Sequence, residues 1–148
     1  MNPIAEFKKE HQEIEQELIE LELIMNSEII NYPNLVHVFK KLYDLWDKHE
    51  KKEERVFLEI EKSRIKDHIK QMRAEHKILR VQQNSVIKAI NSGNDAHVRK
   101  AMNDNISIMI EKLRGHMKYE DEILYKIVLL DIKIKNGFEK GFDNRVDF

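Results

Sequence analysis

Residues 46–57 read WDKHEKKEERVF, and this stretch carries the pattern that decides the fold. Within it Trp46, His49, Glu53 and Val56 follow one another in steps of three, four and three. Such steps place side chains on one face of an α-helix, as the inward stripe of a helical bundle requires. This stripe differs from an ordinary one because a histidine and a carboxylate stand where apolar residues are expected.

Three further segments carry the same periodicity, and together the four predict an all-α fold. The first predicted helix runs from about Pro3 to Met25, and the second starts near Tyr32 and ends near Ser63. The third starts near Ile65, and the sequence NSGND at residues 91–95 predicts the loop before the fourth. The inward stripe of the fourth helix is predicted to contain Val98, Met102, Ile106, Met109, Leu113, His116, Glu120, Ile123, Ile127 and Leu130.

The short connections between the four helices favour an antiparallel up-down-up-down four-helix bundle. A length of 148 residues suits one domain, so we expect the bundle over residues 1–135 and a C-terminal tail over residues 136–148. With only 4 Gly and 2 Pro, the chain has few residues that would interrupt long helices.

Composition excludes several classes of function. The chain has no cysteine, which rules out disulfides, iron–sulfur clusters and thiolate zinc sites, and leaves histidine and carboxylate as metal ligands. The 26 basic and 27 acidic residues are interspersed, with no basic stripe, so we expect no nucleic-acid partner. No signal peptide and no membrane-spanning apolar run is visible, so we expect a cytoplasmic protein that does not enter a membrane.

Six ionisable residues fall on the predicted inward stripes, with at least one on each helix. Helix lengths and a rise of about 1.5 Å per residue put them within one or two turns of a common level in an antiparallel bundle. Buried carboxylates are costly without a cation, whereas a metal cluster would satisfy all the groups at once. The alternative is that the histidines are hydrogen-bonded core residues that set the register of the bundle. The six are His11, His49, Glu53, His76, His116 and Glu120.

Nitrogen and carboxylate ligands suit iron, manganese or zinc. Two bridging carboxylates would hold two ions roughly 3.5–4 Å apart. The remaining histidines, His37, His68 and His97, lie off the stripes and are predicted to be surface residues.

The order of these residues resembles the hemerythrin-type cation-binding domain over about residues 5–130. The pattern is a lone His11, then His49-x-x-x-Glu53, then His76, then His116-x-x-x-Glu120. The resemblance implies two iron ions joined by an oxo or hydroxo bridge and by the carboxylates of Glu53 and Glu120. The four histidines would be terminal ligands, and zinc or manganese could substitute for iron.

Two departures from the oxygen-carrying members of that family bear on the site. Those members have a second histidine four residues after the one in the third helix, where this chain has Arg80. Water or Glu50 could replace the missing nitrogen, although a solvated Glu50 is the simpler expectation. The oxygen carriers also bridge with an aspartate five residues after the last histidine. That position is Asp121 here, and it stays an alternative to Glu120.

The resemblance implies a protein that binds or senses dioxygen, iron or a related diatomic or redox signal. A di-iron enzyme that reduces peroxide, dioxygen or nitric oxide is the first alternative. The second is an interaction module stabilised by metal, with a protein partner or another copy of the chain. Tyr119 and Tyr125 stand beside the fourth-helix motif and could hydrogen-bond a bound oxygen species, although exposure or ordinary packing is the simpler expectation.

Overall fold

The computed structural model describes residues 3–59 and 65–130, and these residues form helices and connecting turns without any strand. This confirms the predicted all-α fold. The expected tail at residues 136–148 and the predicted helix end near Ser63 lie outside the described residues. The helices are α1 (Pro3–Met25), α2 (Tyr32–Glu59), α3 (Lys66–Asn91) and α4 (Asp95–Tyr119), and α4 continues through a π-helical segment, Glu120–Leu124, into helical residues 125–130.

Local signals explain where the helices begin. The side chain of Asn31 accepts a hydrogen bond from the amide of Asn34 at 3.1 Å, which caps the start of α2. Asn94 caps α4 in the same way, by accepting from the amide of His97 at 3.1 Å. Gly93 supplies the left-handed turn of the loop with a φ of 69°, which residues with a Cβ rarely adopt.

Ion pairs between α1 and α2 show that these two helices run in opposite directions. Lys41 near the start of α2 contacts Glu17 at 2.8 Å, whereas Lys52 near its end contacts Glu10 at 2.7 Å. As α2 advances, its partners on α1 therefore come earlier in the chain. Antiparallel packing brings the first half of α1 beside the second half of α2, as the predicted bundle requires.

The apolar core is divided into two clusters by a layer of ionisable side chains. The larger cluster includes Ile14, Trp46, Leu79 and Leu113, one from each helix. The smaller cluster includes Phe7, Phe57, Met72 and Leu124. On α1, α2 and α3 the histidine of the predicted site stands between the members of the two clusters, so the site is covered by apolar side chains at both ends.

Beyond Glu120 the predicted inward stripe of the fourth helix is wrong at Ile123 and Leu130, although Ile127 is half-buried against the smaller cluster. Ile123 and Leu130 are exposed, whereas Leu124, Tyr125 and Val128 are buried. The amide of Tyr125 donates to the carbonyl of Glu120, which is the i to i+5 hydrogen bond of a π-helix. This wider turn accommodates one additional residue, so the apolar face after Glu120 lies one position later than α-helical spacing predicts.

Candidate metal centre

The residues predicted to form the site converge in the core. Each of the six is buried, and the most exposed of them, His11, is only 4% exposed. Their ligand atoms form two groups, each with two histidines and two carboxylates, and within each group the atoms lie within 4.8 Å of one another. The first group is His11, His49, Glu53 and Glu120, and the second is Glu53, His76, His116 and Glu120.

The first group is held by α1, α2 and α4. The Nε2 atoms of His11 and His49 are 3.0 Å apart, and Nε2 of His11 is 3.1 Å from Oε1 of Glu120. Nε2 of His49 is 3.1 Å from Oε1 of Glu53. Ligands at about 2.1 Å from one ion lie about 3 Å from each other when they are at right angles, so these separations suit a single metal ion.

The second group is held by α2, α3 and α4. Nε2 of His76 is 3.4 Å from Oε1 of Glu53, and Nε2 of His116 is 3.2 Å from Oε2 of Glu120. These four atoms are buried and have no hydrogen-bond partner among the described residues. Buried polar atoms are nearly always paired in native proteins, so four unpaired donors and acceptors at one point fit a cation.

The two carboxylates are shared in different ways. Glu120 presents Oε1 to the first group and Oε2 to the second. Glu53 presents the same oxygen, Oε1, to His49 and His76. Both arrangements place a carboxylate between the groups, which is the position of a bridging ligand.

Three of the four histidines are oriented by a carboxylate on the outer side of the ring. His11 Nδ1 is 2.9 Å from Asp121, His49 Nδ1 is 2.8 Å from Glu10, and His116 Nδ1 is 2.8 Å from Glu75. A carboxylate at Nδ1 fixes the ring orientation and leaves Nε2 available to a metal. His76 differs, because its Nδ1 has no hydrogen-bond partner among the described residues, and Glu54 lies 3.9 Å away.

The two residues that the sequence left as alternatives lie outside both groups. The Asp121 side chain is 40% exposed and contacts the outer nitrogen of His11, whereas Glu120 is fully buried between the groups. Glu50 is only 1% exposed, so the expectation that it is solvated is wrong. Its Oε1 accepts hydrogen bonds from the guanidinium of Arg80, through Nε at 3.1 Å and also through Nη2.

Tyr125 is the residue that sequence reasoning undervalued. Its phenol donates to Oε2 of Glu53, and the phenol oxygen is 3.1 Å from Nε2 of His11 and 3.4 Å from Oε1 of Glu120. The π-helical segment accounts for the omission, because α-helical spacing places Tyr125 off the inward stripe. Tyr119, by contrast, is half-buried and bonds to Nδ1 of His68 at 2.6 Å.

The histidines predicted to be surface residues follow that expectation in part. His37 and His97 are exposed, whereas His68 is half-buried through its contact with Tyr119. None of these three belongs to either group of ligand atoms.

Opposite charges hold the layer together. Burial disfavours protonation of His49, but the hydrogen bond to Glu10 and the nearby carboxylates of Glu120 and Glu53 outweigh it and raise the pKa to about 11. The pKa of His116 rises to about 10 because Glu120 and Glu75 outweigh burial in the same way. Burial opposes ionisation of Glu120, yet the surrounding histidines hold its pKa well below the usual value. A metal ion would therefore replace protons on these imidazoles.

Two surface grooves approach the centre. A groove of about 530 Å³ between α1 and α4 is lined by His11, by three basic residues and by three carboxylates, which are Lys8, Arg114, Lys118, Glu15, Asp121 and Glu122. A smaller groove of about 280 Å³ between α3 and α4 is lined by His116, Glu75 and the exposed Gly115, and its surface is mainly apolar.

Comparison with known proteins places the chain in a family. The sequence model described as the hemerythrin HHE cation-binding domain matches residues 2–128. Comparison with curated proteins and with solved structures gave no significant match. In the described part of the chain, no helix combines the length and apolar character needed to cross a membrane. Because the family match spans most of the 148 residues, the chain belongs to the hemerythrin HHE cation-binding family.

Proposed function

We propose that this chain holds two iron ions, one in each group of ligand atoms, and binds or senses dioxygen or a related diatomic ligand. The observation that carries the proposal is that both buried groups share Glu53 and Glu120. Two ions that share two carboxylates form a coupled pair, which can supply two electrons to one diatomic molecule. A single structural ion would need only one of the groups.

The four histidines would be terminal ligands, two for each ion, and the two shared glutamates would be bridges. Each ion would then have four donors from the chain, which leaves coordination positions open to a small ligand. Nitrogen and carboxylate donors also suit zinc and manganese. Iron is proposed because reversible dioxygen binding needs a metal that gives electrons and takes them back, whereas zinc has no redox chemistry.

Apolar side chains around the layer would limit access by water. The Trp46 ring lies 5.6–6.0 Å from the rings of His49, His76 and His116 on one side. On the other side, Phe7 lies 5.6 Å from His49. A dry surrounding favours a neutral diatomic molecule over water and protects a reduced metal pair from other oxidants.

The test is reversible oxidation of the iron-loaded chain. The protein is loaded with Fe²⁺ without air, exposed to dioxygen and then flushed with argon, while the near-ultraviolet and visible spectrum is recorded. A carrier or sensor should gain a charge-transfer band with dioxygen and lose it under argon. Absence of a band at any stage would contradict the proposal.

A di-iron enzyme is the second candidate, and Tyr125 favours it. A phenol among the carboxylates of the centre could deliver a proton to a reduced oxygen species. An enzyme would consume dioxygen or peroxide over many cycles when a reductant is supplied, and its band would persist under argon. Turnover measured with an oxygen electrode separates the two candidates.

A further inference from the structure

A third group of possible ligands stands on the α2–α3 face of the centre. One oxygen from each of Glu50 and Glu54 and one nitrogen of His76 lie within 4.8 Å of one another. We propose that these residues form an outer cation site at which Fe²⁺ binds before it reaches the two inner groups. The inference rests on the proposed di-iron function and concerns how the centre is filled.

Two buried polar atoms at this point lack a hydrogen-bond partner in the described part of the chain. Oε2 of Glu50 and Nδ1 of His76 are buried, and neither has a hydrogen-bond partner among the described residues. The other three histidines of the centre each have a carboxylate at Nδ1. A cation site requires buried ligand atoms that have no other partner. The carboxylate oxygen of Glu50 and the ring nitrogen of His76 meet this requirement, and Glu54 lies within reach as a third ligand.

The outer site connects solvent with the centre. The Glu54 side chain is 39% exposed, and its Oε2 is 3.9 Å from Nδ1 of His76. On the opposite side of the same ring, Nε2 of His76 is 3.4 Å from Oε1 of Glu53. An ion at the outer site is therefore separated from the second inner group by a single imidazole ring.

Charge favours this face over the groove between α1 and α4 beside His11. That groove carries three basic residues and three carboxylates, so its charges balance, and the Asp121 carboxylate already contacts His11. At the outer site, the positive charge of Arg80 is paired with Oε1 of Glu50. This pair does not balance the negative charge of Glu54. A divalent cation is attracted to this net negative point more strongly than to a groove whose charges balance.

Sharing of His76 makes occupancy of the outer site transient. A neutral imidazole has one free lone pair, so it can bind a metal through Nδ1 or through Nε2 but not through both. When the second inner group holds its ion through Nε2, the outer site loses its nitrogen ligand. The outer site should therefore empty as the inner groups fill.

The test compares the rates of iron uptake at limiting Fe²⁺ without air. Uptake is measured by stopping samples at set times with a coloured chelator that traps unbound Fe²⁺. The variant is Glu54→Gln, which removes the exposed charge of the outer site but leaves both inner groups intact. Glu13→Gln, an exposed glutamate of α1, is the matched control.

We expect Glu54→Gln to take up iron about tenfold more slowly than the wild type, and to reach the same final content. Glu54→Lys should be slower still, and the control should match the wild type. Unchanged uptake by Glu54→Gln would overturn the inference, as would slowing confined to Asp121→Asn, which would place the route in the α1–α4 groove. Failure of the wild type to hold two ions would instead contradict the proposed function.

Discussion

Tyr125 on the fourth helix donates a hydrogen bond to Oε2 of Glu53 on the second, at the centre of the bundle. The contact occupies one oxygen of Glu53 and leaves the other, Oε1, facing both His49 and His76. It depends on the π-helical turn that carries Tyr125 toward the core. The phenol thus fixes the orientation of a carboxylate that both groups of ligand atoms share.

Replacing Tyr125 with phenylalanine should destabilise the metal-free chain by about 1–3 kcal/mol, because Oε2 of Glu53 would remain buried without its donor. The difference should shrink in the iron-loaded chain, where a metal ion can take up the freed oxygen. Urea unfolding with and without iron measures both values. Tyr119→Phe, which removes a half-buried phenol from His68, is the control and should cost less. Equal effects of the two variants would show that Tyr125 has no special role.

Glu120 and Asp121 should respond differently to removal of their charge. Glu120→Gln removes a carboxylate from both groups, so the variant should retain at most one iron per chain. Asp121→Asn changes only the outer contact to His11 and should retain two ions with weaker affinity. Iron content after gel filtration measures the difference. The opposite result would identify Asp121 as the bridge.

The outer contact of His116 should contribute to metal affinity. Glu75→Gln keeps the shape of the side chain but removes the charge that orients Nδ1 of His116. Loss of such a partner typically weakens metal binding by about 10–100-fold. Competition with a chelator of known affinity measures the change, and Glu111→Gln, an exposed glutamate of α4, serves as control. Affinity equal to that of the control would contradict the orienting role.

The single tryptophan should report metal binding directly. Trp46 is the only tryptophan in the chain, and its ring lies within 6.0 Å of three histidine rings of the centre. Fe²⁺ at these histidines should quench its fluorescence, because an open-shell ion so close to the indole provides a route for the excited state to decay. Zn²⁺, which has a filled d shell, should quench much less. A fluorescence titration with each ion tests this, and unchanged emission with Fe²⁺ would place the metal elsewhere.

Much of this architecture could be predicted from the sequence because strong local signals agree with the periodicity. Asn31 and Asn94 cap the helices that were expected to start beside them. The common level of the six ionisable residues followed from helix length alone, because every α-helix rises by the same distance per residue.

The features of the fold and the site that the sequence did not predict depend on contacts that helical spacing does not encode. The π-helical turn after Glu120 moved the inward face by one residue, which buried Tyr125 and exposed Ile123. Glu50 is buried because Arg80, thirty residues later in the chain, supplies its counter-charge. A sequence pattern shows which face of a helix is inward, but it does not reveal which distant side chain makes a buried charge tolerable.

The central claim is that two metal ions share Glu53 and Glu120. Anomalous X-ray scattering at the iron absorption edge, from crystals of the iron-loaded chain, tests it most directly. We expect two peaks in the core, one beside His11 and His49 and the other beside His76 and His116, with both glutamates between them. A single peak, or peaks outside this layer, would contradict the account.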